Sequence, residues 1–315
     1  MKIHYVWIFL ELCTLEFLFF SIDLVSSCPA GWLDSGFKCY KNGGKGPLGL
    51  ARSECFQLGG DVPSFSSQAE YDAYVSVLDT IGTGLTTIPT WINLVDLSSE
   101  QYFYWADESP TVWTNNWQAV NGTYHWTANC VYRNPNNFFY HVGCSNSYNF
   151  TCEYKTFPAE PVPSPCPSAE WTWVENGKCY LWREKKSWND ARADCYTLGA
   201  RLPSWNSTFD YLKFDRARVL MNSTLFSSAY WTALNDYDQE GIYTESVNID
   251  GSQTAPLWTL HFPPNQTDNP MFDRHCVYAH GTYLTWYRYY CHIQLYYFCE
   301  YNPAVGLLPG PAQVG

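Results

Sequence analysis

The chain has 315 residues, enough for two separate cores at roughly 100 to 200 residues per domain, and 18% of it is aromatic, so those cores should be rich in rings. A formal charge of −12 argues against a partner held by general positive charge on the protein, such as nucleic acid or heparin. Nothing in it suggests a basic patch.

Residues 1–27 read as a secretory leader. Lys2 opens it, apolar blocks run from Val6 to Leu10 and from Phe17 to Ile22, and Val25, Ser26 and Ser27 place small residues before Cys28. The other reading is an anchor retained in the membrane, but Glu11, Glu16 and Asp23 interrupt the run short of the ~18 to 20 apolar residues a span needs. No later stretch could cross a bilayer, so the mature chain is expected outside the cell with no span.

The stretch from Ala51 to Ser64 occurs twice, returning 140 residues on at Ala191 to Ser204 with Ala, Arg, Cys, Leu, Gly, Pro and Ser in register. An offset of that length fits two whole domains rather than a solenoid repeat. Ala191, Cys195 and Leu198 mark one helix face, and Gly199 stands where a helix end often turns left-handed. Each copy therefore predicts a short amphipathic helix, a glycine stop and a strand ended by proline. A second helix follows, opened in the first half by Ser67-Gln68-Ala69-Glu70, a capping box. Aromatic segments such as Gln101 to Ala106 and Tyr283 to Cys291 then alternate as strands do. Helices early and strands late in each half imply an α+β class.

The predicted organisation is a leader (1–27), a first module (28–155), a proline-rich linker (156–165), a second module (166–301) and a flexible tail (302–315). The linker prolines favour a stiff extended segment, expected to hold the modules apart. Beyond Cys13 in the leader there are twelve cysteines, six per module. Their gaps run 11, 16, 75, 14, 8 and then 13, 16, 81, 15, 8, which marks a duplicated disulfide framework. Six cysteines allow fifteen pairings, and the absence of C-x-x-C gives no support to a zinc ribbon or a thioredoxin-type site. Asn-X-Ser/Thr sequons stand at Asn121, Asn149, Asn206, Asn222 and Asn265, and behind a leader several of them are expected to carry glycans.

At this point the residues resemble a family. Cys-Pro-x-Gly-Trp at Cys28 to Trp32, Cys-Tyr at Cys39-Tyr40 and Cys179-Tyr180, and the repeated helix are similar to C-type lectin-like domains of the long form. Trp91-Ile92-Asn93-Leu94 and Trp231-Thr232-Ala233-Leu234 resemble the family's core strand, and Phe150 to Glu153 and Phe298 to Glu300 its closing strand. The resemblance covers Cys28 to about Tyr154 and Cys166 to about Tyr301. It implies the pairs Cys28 with Cys39, Cys55 with Cys152, Cys130 with Cys144, Cys166 with Cys179, Cys195 with Cys299 and Cys276 with Cys291.

Sugar-binding members of such a family hold calcium through carboxylates and amides around a cis-proline. Calcium wants six to eight or so oxygen ligands, several of them anionic. The second module keeps a fragment, Gln266, Asp268 and Asn269, with Thr267 where the proline would stand. Arg274 and Arg288 occupy positions that the resemblance gives to acids, and two guanidinium groups repel a divalent ion. In the first module Asn121-Gly122-Thr123 and Phe139-Tyr140-His141 stand at the matching places. No cofactor is therefore expected, calcium being disfavoured. The cluster Trp286, Tyr287, Tyr289 and Tyr290, with Tyr278 and Tyr283, suggests a platform for sugar faces or a protein partner. The competing reading places alternate rings in the core.

No G-x-S-x-G, phosphate loop, H-E-x-x-H or leftover cysteine supports catalysis. The expectation is a secreted, non-catalytic recognition protein whose ligand is a glycan or an extracellular protein. The alternatives are an extracellular structural protein that binds no carbohydrate, and an inhibitor-like or toxin-like use.

Overall fold

The computed structural model describes residues 28–97, 103–109, 128–222, 228–237, 243–245, 274–281 and 284–305. The leader, Asn121, Asn265, Gln266, Asp268, Asn269 and Tyr283 lie outside them. The first module runs β1 (Leu33–Asp34), β2 (Cys39–Gly46), α1 (Leu48–Gln57), β3 (Gly60–Asp61), α2 (Gln68–Ile81), β4 (Thr90–Val95), β5 (Tyr104–Trp105), β6 (Cys130–Arg133), β7 (Phe139–Val142) and β8 (Tyr148–Tyr154). The second runs β9 (Thr172–Val174), β10 (Lys178–Lys186), α3 (Trp188–Thr197), α4 (Thr208–Met221), β11 (Ala229–Asn235), β12 (Thr244–Glu245), β13 (Cys276–His280), β14 (Thr285–Tyr289) and β15 (Leu295–Tyr301).

The repeated stretch forms α1 and α3, and each helix is stopped by a glycine in the left-handed region, Gly59 at φ 85° and Gly199 at φ 68°. Ser67 and Ser207 cap α2 and α4, their hydroxyls accepting the Glu70 and Asp210 N–H groups at 3.2 and 3.1 Å. The two sheets share one order, β1-β2-β8-β4-β6-β7 and β9-β10-β15-β11-β13-β14. In both, the closing strand (β8, β15) lies between the first hairpin and the core strand, antiparallel to one and parallel to the other. The fold is α+β.

Six disulfides fasten it: Cys28–Cys39, Cys55–Cys152, Cys130–Cys144, Cys166–Cys179, Cys195–Cys299 and Cys276–Cys291. Aromatic rings fill the interior. In the first module Phe65 meets Tyr71 and Trp105 edge to face at 5.1 and 5.8 Å; in the second, Phe214 meets Phe298 edge to face at 5.1 Å and Trp205 lies 5.2 Å away.

A duplicated ionic knot lies beneath each closing strand. Lys38 Nζ donates to the Ser64 carbonyl at 2.7 Å and pairs with Glu70 and Glu153; Lys178 Nζ donates to the Ser204 carbonyl at 2.7 Å and pairs with Asp210 and Glu300. Burial pushes the Glu153 carboxyl up, against the pull of Lys155 and Lys38. The sequence carries Lys-Cys-Tyr at both 38–40 and 178–180, but the resemblance rests on its Cys-Tyr part alone, and the knot was not expected.

The modules are not held apart. Helix α1 of the first packs on α4 of the second, and Leu48, Ala51 and Cys55 join one apolar cluster with Leu212, Phe214 and Ala217. The approach is close enough that a Cβ on Gly49 would stand 2.3 Å from the Gly281 carbonyl oxygen. Arg216 on α4 donates to Asp61 Oδ2 at 2.8 Å, pairs with Glu175 and lies against the rings of Phe56 and Phe157, at 5.3 and 4.6 Å. Phe157 comes from the linker. That segment therefore covers one side of the contact instead of spacing the modules, because burying apolar helix faces outweighs the stiffness of its prolines.

Candidate functional site

On β14 the side chains alternate. Trp286 is 1% exposed and Arg288 8%, while Tyr287 and Tyr289 lie half-buried on the outer face. Trp286 is thus no platform: it packs on Trp205 at 5.5 Å and Tyr211 at 5.8 Å in the core. Tyr287 sits opposite Tyr278 of β13, their rings stacked at 5.2 Å and 20°, and Tyr289 meets Tyr278 edge-on at 5.4 Å. The first module repeats the stack with Tyr132 and Tyr140, paired across β6 and β7 at 5.7 Å and 19°.

The two arginines at the resemblance's acid positions behave differently. Arg288 lies inward over the Tyr243 ring at 5.0 Å, with Nη2 4.0 Å from Asp236 Oδ2. The other oxygen of Asp236 meets His275 Nδ1 at 3.1 Å, so this acid is engaged on both sides. Arg274 stacks on Tyr290 at 4.8 Å. Among the described residues no group of three His, Cys, Asp or Glu side chains is set to hold a metal ion.

Beside this edge lies an open pocket of about 620 Å³, whose lining includes Ser187, Asn189, Asp190, Tyr237, His275 and His292. Its position follows from local structure. Ser187 caps α3, its hydroxyl accepting the Asp190 N–H at 3.3 Å and donating to Asp190 Oδ2 at 2.6 Å. The Trp188 N–H donates to the Cys291 carbonyl at 2.9 Å, and Cys291 is tied to Cys276, so the helix start and strand β13 stay together. Tyr237, 44% exposed, stacks on His275 at 5.3 Å and 30°, and receives the Asn189 side-chain N–H at 3.5 Å. One wall is aromatic and the edge carries an amide, a carboxylate and a hydroxyl. That combination suits a ligand with apolar C–H faces and a rim of hydroxyls.

The sequence singled out neither Tyr237 nor His275 as a site residue. The two stand 38 positions apart, and no periodicity links the end of β11 to the start of β13. Gln266, Asp268 and Asn269 fall outside the described residues.

The family model of the lectin C-type domain matches residues 47–154 and 184–301. Lymphocyte antigen 75 of Mesocricetus auratus is 26% identical over 225 residues, 69% of this chain and 12% of that protein. C-type mannose receptor 2 of Homo sapiens is 26% identical over 260 residues, 79% of this chain and 16% of that protein. The chain therefore spans less than a fifth of either relative. The solved carbohydrate-recognition domain of the mouse scavenger receptor C-type lectin is 22% identical, with a TM-score of 0.33, covering 44% of this chain and 98% of that one.

Proposed function

Because the chain belongs to the C-type lectin domain family, with two matching segments, we propose that it is a secreted, non-catalytic recognition protein whose second module takes a neutral saccharide without calcium. The observation that carries this reading is the Tyr237–His275 wall, facing a polar rim in a pocket of about 620 Å³, within the range of small-ligand sites. A pyranose would lay its C–H face on the rings and share hydroxyls with Asn189 and Asp190. Two further facts support independence from calcium: Asp236 is engaged by Arg288 and His275, and Thr267 stands in place of the cis-proline. A relative named as a mannose receptor fits the ligand class.

The test is a glycan array probed with the full chain, first in calcium and then in chelator, alongside Tyr237→Ala. Binding that survives chelator and falls about tenfold or more in the variant, a loss of about 1.4 kcal/mol, supports the reading. Binding abolished by chelator would contradict it. The duplicated tyrosine stacks favour one competing reading, an extracellular interaction protein with no carbohydrate ligand. In that case the array is silent under both conditions, and Tyr287→Ala weakens capture of a matrix or cell-surface protein.

A further inference from the structure

The asparagines of three of the five sequons lie among the described residues, and they differ in setting. Asn149 is half-buried in β8, a strand flanked by β2 and β4, with Phe150 and Thr151 of its sequon buried. Asn222 is the half-buried C-terminal cap of α4 and has an interaction of its own. Asn206 is exposed. Its backbone N–H donates to Asp210 Oδ2 at 2.9 Å, and its carboxamide makes no hydrogen bond among the described residues.

Asn206 also lines a groove of about 490 Å³ where the modules meet. Glu108 of the first module stands on one side, and Glu175, Asn176, Asp210 and Lys213 of the second stand on the other. Lys213 Nζ bridges to Glu108 at 2.6 Å, and Glu175 holds Arg216, the residue that reaches across to Asp61. Water reaches the Lys213–Glu108 pair, whose side chains are 25% and 45% exposed, and such a pair is weak while it stays hydrated.

We propose that Asn206 carries an N-linked glycan whose first N-acetylglucosamine lies in this groove and shields the inter-module contact from water. The groove offers carboxylates to accept from sugar hydroxyls, and ammonium and amide groups to donate to them. This is the mixed lining a polar sugar needs and an apolar ligand would not use. The free carboxamide nitrogen forms a bond to the sugar C1 as the C1–O bond to the lipid carrier's diphosphate breaks; the diphosphate leaves with the electron pair and the nitrogen gives up one proton to base. Sealing the groove lowers the local dielectric around Lys213 and Glu108, which strengthens their attraction. The proposal requires secretion and is independent of the ligand taken by the second module.

The experiment uses the full chain secreted by cells that attach oligomannose glycans. Glycopeptide mass spectrometry should find Asn206 occupied. Hydrogen exchange is then compared among the native protein, the protein trimmed to one N-acetylglucosamine per site, Asn206→Gln, and Thr208→Val, a near-isosteric change that also destroys the sequon. Trimming should leave exchange unchanged. Both variants should speed it about threefold or more at the Glu108 amide, which donates to the Trp105 carbonyl, and at the Asp210 amide, which donates to Ser207 Oγ. Amidase removal of the glycan from the folded native protein should give the same increase. An empty Asn206, or variants that exchange like the native protein, would overturn the proposal, as would trimming that by itself reproduces the loss.

Discussion

Asp61 of the first module and Arg216 of the second meet at 2.8 Å in the contact between α1 and α4, 155 residues apart in sequence and both buried. Arg52 completes the group, donating to the same carboxylate from Nε at 3.2 Å and Nη2 at 2.9 Å. It also reaches the Leu212 carbonyl across the interface, at 3.5 Å. Asp61 therefore pairs with both guanidinium groups, and Arg216 has Glu175 as a second partner.

Replacing that carboxylate by the amide, Asp61→Asn, takes away the buried Arg52's paired acid and leaves Arg216 with Glu175 alone, and breaking a buried pair in this way costs about 3 to 5 kcal/mol. Scanning calorimetry is the measurement. The unaltered chain, sharing one apolar cluster between modules, should unfold in a single transition, and the variant should melt lower and split into two. Asp34→Asn, at an exposed position, is the control and should change neither.

The same contact should withstand mild acid. Burial pushes the Asp61 carboxyl up, but Arg52 and Arg216 more than offset this and hold it below the usual carboxylate value, against a smaller opposing effect of Asp107. A carboxyl lowered in the folded state adds stability that is fully present above its unfolded value of about 3.9 and is lost as pH falls through the folded value. Solution scattering should therefore show the two modules docked at pH 5 and separating only below about pH 4. Separation at pH 5 to 6 would refute this.

Calcium should leave thermal stability unchanged. An ion bound only to the folded chain would add about 2.7 kcal/mol at a hundredfold excess over Kd. With Asp236 held between Arg288 and His275, one acid at this edge is already committed. The melting temperature in millimolar calcium should match that in chelator, and a rise of several degrees would contradict the prediction.

Loss of Cys55–Cys152 should be costlier than loss of Cys28–Cys39. The first closes a separation of 97 residues and the second one of 11. In the chain-entropy model those loops are worth about 4.7 and about 2.8 kcal/mol. Denaturant titration of the paired Cys→Ala variants measures the difference, and equal losses would show that the entropic account fails here.

What could be read from the sequence was local or repeated. Gly59 and Gly199, the Ser67 cap and the alternation along β14 rest on spacings of a few residues, where backbone geometry is decided by neighbours. The alternation already offered the correct account of Trp286, as a core ring between outward tyrosines. Tyr237 against His275 and Asp61 against Arg216 carry no such local mark. Each pair is brought together only by the completed sheet or by docking of the two modules, and the linker's composition described its stiffness without indicating what Phe157 would cover.

The repeat holds one more consequence. At the position of Asp61 the second copy has Arg201, bonded at 2.8 Å to Glu300 of its own module, and at the position of Arg216 the first copy has Ser76. A contact between unlike surfaces of like units can in principle continue head to tail into a fibre. Here the growing end presents a neutralised guanidinium where the next arginine would need a carboxylate, and the opposite end has no arginine to offer. A further copy docked in the same way would therefore lack the Asp–Arg bond that fastens these two units at both of its ends.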